Sequence, residues 1–181
     1  DHFEAVRAEL KNAGAIEEIA ASNSPLTQVW NTNGGFTWEG KDPNLAVDFP
    51  NNNVSSEFGK TVNWKIKEGR DFSRDFATDS LAFVINESAA RFLGFKEPVG
   101  KMLKWNNQPF IIIGVVNDVM QESPFYPVRP TLYHTGKLDN MFNVIVKLNP
   151  SQNVKQSLSK IEQVWKKYTP TVPFNYKFVD E

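Results

Sequence analysis

Two histidines, His2 near the start and His134 beside a turn, are all the imidazole this chain of 181 residues contains. A Ser-His-Asp arrangement would have to recruit one of them, and no G-x-S-x-G elbow raises a serine for it. Cysteine is absent, which excludes thiolate catalysis, thiolate-bound zinc and disulfides within the chain. Asp71, Asp75 and Asp79 are evenly spaced carboxylates that could ring a cation. The calcium loop, however, needs aspartates two apart, a central glycine and a distal glutamate, and this stretch lacks that order. Asp71 and Ser73 suit side-chain-to-backbone turns better. Glu17 with Glu18, or Glu39 with Asp42, are the pairs a two-carboxylate glycosidase would use, but any fold offers such pairs. Gly34, Gly35 and Gly69 match no phosphate-binding loop. Trp30, Phe36 and Trp38 could stack on a sugar, or pack Phe36 and Trp38 against a core from alternate positions of a hairpin. The residues therefore assign no catalytic group, no cofactor site and no metal ligand.

The elements that would position such groups read as a mixture of short strands and helices. Phe3, Val6 and Leu10 recur at helical spacing, with Asp1 as N-cap and Gly14 past the end. "AIEEIAAS" reads as a strand, "FTWEG" as a strand in a hairpin or long loop, and "LAVDF" as a strand stopped by "PNNN". A short helix follows from about Val54 to Thr61, and "NWKIKEG" alternates as a half-exposed strand. "LAFVI" reads as a buried strand leading into a helix capped by Asn86, with Glu87 in its first turn and Gly94 closing it. "PVGK" turns into "MLKW", and Asn106-Asn107 closes a hairpin onto "FIIIGVV". "TLYHT" and "FNVIVKL" read as strands. The last helix is expected to be capped by Asn149 with Pro150 at its first position, and "FNYKFVD" to form a final strand.

Composition narrows the function classes. Hydrophobic residues make up 40% and charged residues 23%, which is a folded chain, and a net charge of −1 removes the electrostatic footprint of a nucleic-acid binder. The longest apolar run, Phe110 to Val116, is too short to cross a bilayer as a helix, and no signal peptide opens the sequence. From the residues alone the fold class is α+β, with two small lobes and no visible active site.

Several strings in a fixed order carry a resemblance: "GRDFS", "TDSLAFVINESAARFLG", "PVGK", "FIIIGVVNDV" and "RPTLY". The sequence resembles the MacB-like periplasmic core domain found in permease subunits of FtsX-type ABC transporters. The matching positions are Gly69, Arg70, Phe72 and Ser73; Asn86, Glu87, Ala90 and Gly94; Pro98 and Gly100; Gly114, Val115 and Asp118; and Pro130. The ending "WKKYTPTVPFNYKFVDE" is similar to the second such domain of Bacteroidetes-type permeases. The resemblance implies a porter-like lobe of strand–helix–strand units, residues 1–50 plus 128–181, with an inserted sabre-like α/β lobe, residues 51–127.

It also implies a non-catalytic domain on the periplasmic face of the inner membrane, tethered by transmembrane segments of the same permease chain. A cognate cytoplasmic ATPase would drive it, and a second permease copy or a periplasmic partner would assemble with it. Both chain ends are then expected on one side of the molecule. Met120, Phe125 and Tyr126, apolar residues in a proline-rich loop, are the candidate contact surface, or else tuck back to seal the two lobes together. The alternatives are a free-standing carbohydrate- or peptide-binding module of the cell envelope using Trp30, Trp38 and Trp64, and a hydrolase that the motifs do not reveal.

Overall fold

The computed structural model describes residues 2–119, 127–137 and 141–179. Helix α1 (His2–Asn12) places Leu10 in the core, and Gly14 follows at a φ of 68°. Strand β1 (Ile16–Ser22) comes next, then the short β2 (Thr32–Asn33) and β3 (Phe36–Trp38). Strand β4 (Phe49–Val54) is buried along its whole length and leads to α2 (Phe58–Val62) and the exposed β5 (Ile66–Gly69). A 3₁₀ turn (Ala77–Leu81) precedes β6 (Ala82–Asn86), α3 (Glu87–Leu93), β7 (Met102–Trp105) and β8 (Gln108–Val116). The chain closes with β9 (Leu132–Thr135), β10 (Asn143–Leu148) and α4 (Val154–Tyr168).

The strands form a mixed sheet in the order β10-β1-β4-β9-β6-β8-β7-β3, with β2 beside β4 and β5 beside β8. Pairing is parallel between β4 and β9 and between β6 and β8, and antiparallel elsewhere. This is an α+β fold. Three apolar clusters hold it. One joins α1, α4 and β1 through Leu10, Ile16, Ile19, Ile161 and Val164, with Val146 and Leu148 of β10 packed against it. A second lies under α3 and includes Phe36, Phe49, Phe83, Leu103 and Ile112. The third, with Phe58, Phe72, Val84 and Tyr133, lies beneath α2. Phe36, Phe49 and Leu132, which the sequence assigns to the porter-like lobe, thus pack with Phe83 of the inserted one.

Four local expectations are corrected. The strand expected at residues 45–49 begins instead at Phe49 and runs through the asparagines taken as its stop. "FTW" does not close a local hairpin; it pairs with β7, far along the chain. Asn153, not Asn149, caps α4, because its side chain accepts the amides of Lys155 and Gln156, while Asn149 bends the chain before it by accepting the Ser151 amide. The terminal "FNYKFVD" has no ladder partner among the described residues. Its Phe174, Tyr176 and Phe178 instead line a groove of about 880 Å³ with Val154, Leu158 and Glu162 of α4. His2 packs on Tyr168 in the last turn of α4, whereas Phe178 shares its groove with Asn153 and Val154 at the first.

Candidate functional site

The patterned residues converge on backbone rather than on a pocket. Asn86 is the centre. It is buried, and its Oδ1 accepts the amide hydrogens of Ala89 and of Thr131, both at 2.9 Å, while its Nδ2 donates to the carbonyl of Arg129 at 2.9 Å. One side chain thus caps α3 and ties down the segment that returns to β9. Pro130 sits between the two residues so held. Gly94 ends the helix at a φ of 75°, as the polar cap and terminal glycine predict.

Asp118 does the same from the other side. Its Oδ1 accepts the Ser88 amide and its Oδ2 the Ser88 hydroxyl, each at 2.8 Å, and Arg91 reaches Oδ2 at 2.6 Å. Burial works to raise this carboxyl, but Arg91 and the Ser88 donors prevail and hold it below the usual aspartate range. Glu87 accepts the Asp118 amide at 3.2 Å and lies 3.8 Å from Lys67. The N-terminus of α3 therefore grips the chain both where it leaves β8 and where it re-enters β9. Met120, Phe125 and Tyr126, between those grips, lie outside the described residues.

The Gly-Arg motif fixes a second close approach. A Cβ on Gly69 would lie 2.2 Å from the Ile113 carbonyl oxygen, and one on Gly114 would lie 2.1 Å from that of Arg70. The motif thus needs glycine on both strands. Arg70 then forks onto Asp79, at 2.6 and 2.8 Å, and lies over the Phe76 ring. Burial would raise the Asp79 carboxyl, yet Arg70 and the Ser73 amide keep it below its ordinary value. Phe72 is buried beside Phe58 and Tyr133, Val115 lies in the core under α3, and Ala90 packs against it. At the Pro98 turn, Gly100 donates to the Ile112 carbonyl at 2.8 Å, and Lys101 donates to Pro98 at 3.1 Å.

The residues weighed for chemistry are occupied otherwise. Asp71 accepts the Phe72 amide and the Trp64 indole, Asp75 meets Ser73, and Asp79 holds Arg70, so the three aspartates do not converge. No described group of acidic or imidazole side chains could hold a metal ion. His134 stands against Phe83 and Trp105, where burial pushes its imidazole below the ordinary value. Trp64 packs on Phe58 and Tyr133, Trp38 on Phe49 and Phe92, and Trp30 is exposed with its indole on Gln28. They form no common platform.

The sequence reading missed one feature, a charge ladder on α1. Arg7 forks onto Glu18 at 2.8 and 2.9 Å, and Lys11 joins at 2.9 Å. Burial opposes the Glu18 charge, but these cations and the Ile19 amide bring its pKa down to about 2. Glu4 extends the ladder to Arg74, which also holds Glu57. The spacing of Glu4, Arg7 and Lys11 along one helix face was the available signal.

An α+β domain whose motif residues are engaged in holding backbone segments together around one helix terminus is the class that this fold and these residues define. The sequence pattern of the MacB-like periplasmic core domain matches residues 1–164, and the chain belongs to that family. It is 30% identical over 113 residues to the macrolide export ATP-binding/permease protein MacB of Campylobacter fetus. That match covers 56% of this chain and 17% of the relative. Among solved structures, it is similar to the periplasmic region of MacB from Actinobacillus actinomycetemcomitans, at a TM-score of 0.62 and 19% identity, covering 91% of this chain and 72% of that one. The extracellular domain of the noncanonic ABC-type transporter YknZ from Gram-positive bacteria gives 0.63 and 18%, over 93% and 84%. No described helix is long and apolar enough to cross a membrane.

Proposed function

We propose that this chain is the extracytoplasmic domain of an ABC transporter permease and that it works mechanically, passing on conformational change driven by a cognate cytoplasmic ATPase. The observation that supports this most is the use of the motif. Asn86, Asp118, Arg70 and the Gly69–Gly114 contact all fasten one backbone segment to another, and packed, bistable units rather than reacting groups transmit displacement. On this reading the domain carries out no chemistry, and its partners are the transmembrane segments of its own permease, the ATPase, and a second permease copy or periplasmic protein. The segment between Asp118 and Arg129, gripped at both ends by α3, is the proposed contact surface. The porter-like and sabre-like segments share a buried core at Phe36, Phe49, Phe83 and Leu132, which suits a unit that moves as one.

The placement is tested in cells that express the full-length permease. Protease added to spheroplasts should cleave within this domain, and protease confined to the cytoplasmic side should not. Cleavage only from the cytoplasmic side would end the proposal.

A further inference from the structure

We propose that the free edge of β10 takes up one more strand, supplied by the residues that precede Asp1 in the full-length permease, and that this strand lies between β10 and the aromatic segment 174–178. β10 ends the sheet, and among the described residues it pairs with β1 alone. Its composition is that of an interior strand. Ile145 packs against the cluster beneath α2, while Val146 and Leu148 pack against the cluster of α1 and α4, so both faces are apolar. Sheet edges are ordinarily guarded by proline, a bulge or a free lysine. β10 has no proline, and its one charge, Lys147, is held by Glu17 of β1 at 2.8 Å. Val144, which alternation puts on the face towards α4, is left 44% exposed.

The helix layer is also wider than the strands beneath it. α1 and α4 lie side by side, with Lys167 and Tyr168 of α4 both donating to Glu9. Two helices, each about 10 Å wide, cover about four strands spaced about 4.8 Å apart. β1 and β10 supply two of them. Residues 174–178 alternate like a strand and line the groove with Val154, Leu158 and Glu162, yet they make no backbone hydrogen bond among the described residues. One strand between this segment and β10 would complete the four.

Chain direction identifies the occupant. β10 runs antiparallel to β1, and α4 returns along it. The segment 174–178 then runs back along α4, since Phe178 shares the groove with Asn153 and Val154 at its first turn. A strand antiparallel to both β10 and this segment must run parallel to β1, and must end at the level of Ser22 and of the last turn of α4. α1 begins at that level, where His2 packs on Tyr168, and leads back to Ile16. Strand, α1 and β1 thus form a split β-α-β unit around β10, and β10, α4 and 174–178 form a second around the added strand. The added strand starts beside Phe178, so both flanks of the chain leave from one end of the domain. Two transmembrane segments of the same membrane need that arrangement.

The source of the strand rests on the permease reading above. The protease experiment asks which side of the membrane the domain occupies and the next asks what lies on β10, so either can fail alone. In the full-length permease in detergent, hydrogen–deuterium exchange is followed by mass spectrometry over 143–148 and 174–178. Every amide of β10, not the alternate ones facing β1 alone, should exchange at least ~10-fold more slowly than an unpaired chain, and so should those of 174–178 that face the strand. Proline placed at successive positions of the segment before Asp1 should restore fast exchange in β10 at every second position. Fast exchange at the outward amides of β10 would overturn the proposal. So would protection that no proline disturbs, which would assign the edge to a second copy or another protein. A full-length chain with fewer than the ~6 residues that a strand matching β10 needs before Asp1 would also overturn it.

Discussion

Asn86 shows how much one side chain carries here. Replacing it with alanine removes a cap worth about 1 kcal/mol and leaves the buried Thr131 amide unpaired, at about 1–3 kcal/mol, while the Arg129 carbonyl keeps the Thr131 hydroxyl. Asn86→Ala should lose about 2–4 kcal/mol in urea denaturation, and Asn86→Asp, which keeps the acceptor but not the donor to Arg129, should lose less. An Asn86→Ala variant as stable as the parent would refute the stitching role. Glu18 and His134 each contribute to the pH response. The carboxyl of Glu18 titrates near 2 in the fold against an ordinary 4.5, so its contribution is complete above about 4.5 and is lost as pH falls towards 2. The shift corresponds to about 3 kcal/mol. His134 is held neutral by burial, so the unfolded chain takes up its proton first and stability declines as pH drops below about 6.5. Denaturation midpoints between pH 5 and 8 should flatten in His134→Gln, and a slope unchanged by that substitution would contradict the assignment.

At the scale of elements, local signals were legible and long-range ones were not. The cap, acidic first turn and terminal glycine of α3 all lie within nine residues, and all were readable. The hairpin at Asn106-Asn107, both at positive φ, was readable for the same reason. β4 was misread because three consecutive asparagines speak for a turn. Only the neighbours β9, β2 and β1, distant in sequence, make them a buried strand. "FNYKFVD" alternates like a strand, yet alternation cannot supply a pairing partner, and its aromatic side chains turn to α4 instead. The contact between Gly69 and Gly114 was visible only as two matched motifs. Its physical content is steric, and Gly114→Ala should cost about 3 kcal/mol or more, since a methyl group would meet the Arg70 carbonyl oxygen. Gly100→Ala meets no atom and should cost only the left-handed backbone, about 1–2 kcal/mol. Melting curves of the two variants decide this, and equal losses would show that close approach is not what the motif protects.

For the whole molecule, the family and the α+β fold emerge from ordered motifs that composition alone could not have supplied. The single-sequence reading could not see which segments share a core. Phe36, Phe49 and Phe83 sit together under α3 although dozens of residues separate them. Nor could it see the ladder from Lys11 to Glu57, whose members are spread over α1, β1, the start of α2 and the loop after β5. Both features join segments that are distant in sequence. The central claim is that work passes through this domain by displacement and not by chemistry at a side chain. It is tested most directly in the full-length permease by measuring transport and ATP turnover in three versions: one with this domain cross-linked to its partner, one carrying Asp75→Asn, and one carrying His134→Gln. The account predicts that the cross-link stops transport while ATP still binds, and that both substitutions leave transport unchanged. Transport that survives the cross-link but is abolished by either substitution in a well-folded domain would contradict it.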